Sequence, residues 1–114
     1  MTAVTFFRDD KGLNGFRAKG HSGFAQEGED IVCAALSALT QTAEMGLRKV
    51  AGARIRTELN EGQALLEVRL LEEDAEVWRA AQIILRTLEE GILDIERQYP
   101  AFVRTTYRER RQTI

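Results

Sequence analysis

A chain of 114 residues, 44% hydrophobic and 30% charged, suits one compact domain spanning 1–114 and leaves no room for a second. Its single cysteine excludes an internal disulfide framework, and no apolar run approaches the roughly 20 residues of a membrane span. The net charge of −2 gives no overall pull toward polyanions, and the chain starts with a strand-like run where a secretory signal needs a basic segment and a long apolar one, so the expected compartment is the reducing cytoplasm.

The first strand is expected from Ala3 to Arg8, rich in Val4, Thr5, Phe6 and Phe7. Asp9-Asp10-Lys11-Gly12 supplies turn chemistry, and Gly15 to Lys19 returns as the partner of a hairpin. From Ile31 to Val50 the apolar positions Val32, Leu36, Leu39, Ala43, Leu47 and Val50 recur at spacings of three and four, which predicts a helix with Asp30 as cap and Gly52 past its end. Between Arg54 and Leu70 the period becomes two, with Ile55, Thr57 and Leu59 and then Ala64, Leu66, Val68 and Leu70 on one side, joined through Asn60-Glu61-Gly62.

A second helix is expected from Asp74 to Gln98, its stripe running through Val77, Ala81, Ile84, Leu88, Ile92, Ile95 and Tyr99 and widened by Trp78 and Leu85, until Pro100 stops it. Trp78 is read as core. A last strand, Phe102 to Tyr107, precedes a polar tail from Arg108 to Ile114; its arginines, interrupted by Glu109, read as a solvated end. The order β-β-α-β-β-α-β predicts an α+β fold of two layers, a mainly antiparallel sheet with both helices packed on one face. The open face of such a sheet invites covering by a second copy, so a homodimer is expected.

The chemistry concentrates in Gly20-His21-Ser22-Gly23-Phe24-Ala25-Gln26-Glu27-Gly28-Glu29-Asp30-Ile31-Val32-Cys33, which holds the only histidine and the only cysteine. A cysteine attacks as thiolate, and an imidazole that accepts its proton is the usual means of making one. The positive end of the helix favours negative charge near Cys33, while Glu27, Glu29 and Asp30 oppose it, which leaves His21 to decide the matter. Two readings of Cys33 stand side by side: nucleophile, or a small buried hydrophobe on the stripe of Leu36, Leu39 and Ala43.

Asp30 caps the helix or orients His21, and Ser22 and Ser37 are potential hydrogen-bond donors near the site. An oxyanion could be held by amides around Val32 and Cys33 or by loop amides near Gly20. A phosphate cradle fails, since the glycine-rich loop has no Lys followed by Ser or Thr and carries three acids. One Cys and one His fall short of a zinc site, so no metal and no cofactor are expected. The readings that compete with an enzyme are a non-catalytic ribosome-associated module binding protein or RNA, and a redox-sensing thiol, which has no resolving cysteine here.

Gly20-His21-Ser22-Gly23 followed by Gly28-Glu29-Asp30-Ile31-Val32-Cys33-Ala34-Ala35-Leu36-Ser37 resembles the signature of the ribosomal-processing cysteine protease family, Prp. The resemblance implies a homodimeric endopeptidase that removes a short N-terminal extension from large-subunit ribosomal protein twenty-seven during ribosome maturation, with no membrane and no direct nucleic-acid partner. It implies His21 as general base and Cys33 as nucleophile; Asp30, Ser22 and Gly20 are candidate supporting residues from the reading of the loop itself, and Asp30 also matches a recurring position of the family. The segment through Gly23, Phe24 and Gly28 becomes a mobile substrate loop, and a pocket for phenylalanine is expected beside it.

Overall fold

The structure, a computed structural model, describes residues 1–20 and 29–110, with the backbone alone at 29 and 30. Strand β1 (Thr2–Asp9) turns into β2 (Gly12–Lys19) through a loop in which the Asp9 carboxylate accepts the Lys11 N–H at 2.8 Å. Helix α1 (Glu29–Met45) continues as a π-helical stretch, Gly46–Val50, and Gly52 beyond it adopts φ +66°. The wider π turn rotates the apolar stripe, so Leu47 stays buried while Val50, expected on the stripe, is 84% exposed.

Strands β3 (Ile55–Asn60) and β4 (Leu65–Leu70) form a hairpin whose connection is longer than the tight turn expected. The Asn60 side chain accepts the Gln63 N–H at 3.1 Å and Ala64 takes a left-handed φ of +49°. Helix α2 (Ala75–Gln98) is capped by Asp74, whose carboxylate accepts the N–H groups of Glu76 and Val77 at 3.0 and 3.1 Å. Pro100 follows the helix end, and β5 (Val103–Glu109) completes the sheet.

The strand order is β3-β4-β2-β1-β5, antiparallel except for the β1–β5 pair, which is parallel. Both helices cover the same face: Val32, Leu36 and Leu47 from the first and Leu85, Leu88 and Ile92 from the second share one core with Val4, Phe6, Phe16, Val68 and Val103. Gly91 brings the helices together, since a Cβ there would lie 3.3 Å from Leu39. The α+β, two-layer expectation stands.

The reason given for a partner on the open face does not. That face is polar: Thr5 and Thr106 share a hydrogen bond of 2.8 Å, Arg17 meets Glu67 at 2.7 Å, and the Arg110 guanidinium lies 3.5 Å above the buried Phe7 ring. Like charges on two copies would repel there rather than bury an apolar patch.

Candidate active site

The C-terminal end of β2 is pinned beside the start of β1. Gly20 donates its N–H to the Ala64 carbonyl at 3.1 Å and holds φ at +105°. Any Cβ there would sit 2.8 Å from the Met1 carbonyl oxygen, so only glycine fits. Thr2, nearly buried, donates its hydroxyl to the Gly20 carbonyl at 3.0 Å, and the same oxygen lies 3.8 Å from Cys33 Sγ. One hydroxyl therefore touches both the thiol and the residue immediately before His21.

The backbone at Asp30 is already helical within α1, so this residue is not the cap and Cys33 lies in the second turn rather than the first. Near the fading edge of the helix-end field, Cys33 draws less from it than the sequence reading assumed. Nor is Cys33 a core residue. It is half-buried and stands outside the buried cluster, because it is one position off the Val32–Leu36–Ala43 stripe.

Its own stripe on α1, through Ser37, Gln41 and Glu44, lines a groove of about 610 Å³ whose opposite wall is the β3–β4 hairpin, including Thr57, Leu59 and Leu66. Cys33 and Glu44 are eleven residues apart, roughly 16 Å along the helix at about 1.5 Å per residue. That length matches an extended peptide of about five residues at roughly 3.3 Å each. Leu36, Leu59, Leu65 and Leu66 give the groove an apolar lining suited to large hydrophobic side chains.

At the far end Glu44 accepts hydrogen bonds from Arg48 at 3.2 Å and from the Thr57 hydroxyl at 3.0 Å, tying α1 to β3. The Arg48 hydrogen bond holds the Glu44 carboxyl below its ordinary range against an opposing push from burial.

Among the residues singled out from sequence, Cys33, Gly20 and Ser37 line the same groove. His21, Ser22, Gly23, Phe24 and Gly28 lie outside the described residues, as does the side chain of Asp30. Thr2 was missed, and no local pattern marks it, since it reaches the thiol only through the sheet topology. Glu44 was missed as well, although the spacing of positions 33, 37, 41 and 44 on one helical face could have found it.

The sequence model of the family described as Cysteine protease Prp matches residues 1–104. The ribosomal processing cysteine protease Prp of Bacillus subtilis (strain 168) is 30% identical over 98 residues, covering 85% of this chain and 88% of that protein. In fold the chain is similar to SMU.848 from Streptococcus mutans, with a TM-score of 0.82 at 24% identity, covering 96% of each chain. It is also similar to an essential ribosomal processing protease Prp from S. aureus solved with a substrate peptide, with a TM-score of 0.83 at 23% identity, covering 95% of this chain and 100% of that one. With the family match spanning both the groove and the cysteine at its head, the chain belongs to the cysteine protease Prp family.

Proposed function

We propose that this protease is an endopeptidase that removes the N-terminal extension of large-subunit ribosomal protein twenty-seven, with Cys33 as nucleophile and His21 as base. The observation that carries this reading is the position of Cys33 Sγ, off the core at the head of a peptide-length groove and linked through Thr2 to the residue before His21. The B. subtilis relative is named for ribosomal processing, and the S. aureus structures hold a substrate peptide and a covalently linked product peptide.

His21 takes the proton of Cys33 and the sulfur attacks the scissile carbonyl, forming a tetrahedral oxyanion. As that intermediate collapses, the C–N bond breaks and protonated His21 returns the proton to the leaving amine. Water, deprotonated by His21, then attacks the thioester, and the acyl–sulfur bond breaks to release the acid and the thiol. The apolar groove suits a hydrophobic segment, and the family resemblance implies a cut beside an aromatic residue. A homodimer in the cytoplasm, where the lone thiol stays reduced, belongs to the same proposal.

The test incubates the chain with a peptide spanning the extension and the mature N-terminus and reads products by mass spectrometry. The wild type cuts at a single bond beside an aromatic residue, while Cys33→Ala and His21→Ala retain the fold and yield no product. Processing by the Cys33→Ala variant would overturn the assignment.

A further inference from the structure

The open face of the sheet carries charge opposite in sign to the rest of the chain. Because paired residues share a face, the strand register lays its outward side chains in rows across five strands. Arg56, Arg69 and Arg108 fall in one row, Arg17 with Glu58 and Glu67 in the next, and Lys19 with Arg104 in a third. Arg110 joins them over Phe7. Asp9, at the end of β1, joins Glu58 and Glu67 on this face, so seven basic side chains face three acidic ones, a net of +4 on one face of a chain whose total is −2.

These acids do not neutralise the field: the Asp9 carboxylate is taken by the Lys11 N–H and the Asn14 side-chain amide. Glu67 is shared by Arg17 and Arg110, at 2.7 and 3.6 Å, while Arg56, Arg69, Lys19, Arg104 and Arg108 have no ion-pair partner among the described residues. Arg56 and Arg69 are direct cross-strand partners, a like-charge pairing that costs stability unless an anion sits between them. The balancing acids lie on the helices and loops: α2 nets −2, with five acids against Arg79, Arg86 and Arg97, and Glu61, Glu72, Glu73 and Asp74 lie in the connections. With a screening length of about 8 Å at physiological salt, an anion on the sheet senses the near face.

We propose that this face binds the phosphate backbone of RNA without regard to base sequence. Its aromatic residue, Phe7, is 1% exposed beneath Arg110, so no ring is offered for bases to stack on. A second copy of the chain would set one basic face against another. The choice of RNA rests on the ribosomal reading above; the phosphate site itself does not.

The test is fluorescence polarisation of a labelled 20-nucleotide oligo(U) titrated with the intact chain at several salt concentrations. Saturable binding is expected, its logarithm falling with log salt at a slope of about −3 to −4, since each phosphate contact on a single strand contributes about 0.7. Arg104→Glu with Arg108→Glu, on the strand farthest from the groove, should weaken binding at least tenfold, reduce that slope, and leave peptide cleavage unchanged. Absence of binding at low salt, equal binding by the double variant, or tighter binding of a poly-glutamate peptide than of oligo(U) would each overturn the proposal. Because the readout is binding and not cleavage, failure of the protease assignment and failure of this one are separable.

Discussion

The Thr2 hydroxyl donates to the Gly20 carbonyl at 3.0 Å while its oxygen lies 3.8 Å from Cys33 Sγ. In that arrangement the thiol can donate to Thr2, and once Cys33 ionises the hydroxyl can turn and donate to the thiolate instead. With Cys33 in the proposed role of nucleophile, Thr2 is a positioning residue for it. A neutral hydrogen bond is worth about 1 kcal/mol, which is roughly five- to tenfold in rate. Thr2→Val, which keeps shape and loses the hydroxyl, should lower kcat by about that factor with little change in KM, and Thr2→Ser should restore it. A purely structural role would instead show as a lowered Tm, with Val and Ser differing little in kcat.

Gly20 fixes where the segment carrying His21 departs. Gly20→Ala places a Cβ 2.8 Å from the Met1 carbonyl at a φ of +105°, a clash with backbone rather than with a flexible side chain. A cost of about 1–3 kcal/mol is expected, lowering Tm by several degrees. Cleavage should fall further than stability does, because the shifted strand end also moves the Gly20 carbonyl that Thr2 holds. Thermal unfolding and peptide assays on the same preparation check both.

The elements were legible because each has a clean period: Leu36 and Leu47 repeat on a helix, and Leu66, Val68 and Leu70 alternate on a strand. Cys33 was ambiguous for the same reason. One step off the buried stripe separates a core thiol from a groove thiol, and periodicity does not resolve one step at a helix start. The parallel β1–β5 pair and the sign of the open face depend on pairing across about one hundred residues, which no local window contains. The net charge of −2 hid that face, since it averages a basic sheet face against acidic helices and loops.

Glu44 closes the far end of the groove through Arg48 and Thr57. Its carboxyl is held below the ordinary value of 4.5, so its contribution to stability is present above that value and is lost as pH falls through the lower folded value. Glu44→Gln should therefore lower the urea midpoint at pH 7, with the gap to wild type shrinking in acid below about pH 4.5. Because the bond to Thr57 also sets the spacing between α1 and β3, the variant should raise KM for peptides filling the groove while kcat holds. An unchanged KM would show that substrate does not reach this end.

Tyr107 joins β5 to α2 by donating to Glu89 at 2.5 Å, with the Arg8 guanidinium over its ring at 4.7 Å. Burial, and then the hydrogen bond to Glu89, push the phenol up to about 12 from its ordinary 10. A raised folded value means that the neutral phenol is favoured by folding. Its contribution is complete below pH 10 and is lost as pH rises toward 12, where the native state holds a proton that the unfolded chain releases. The urea midpoint should fall across that interval. In Tyr107→Phe the fall should be shallower, because the group whose titration differs between the two states is gone, while at pH 7 the variant should be less stable through the unpartnered Glu89 carboxylate and the lost tie to β5.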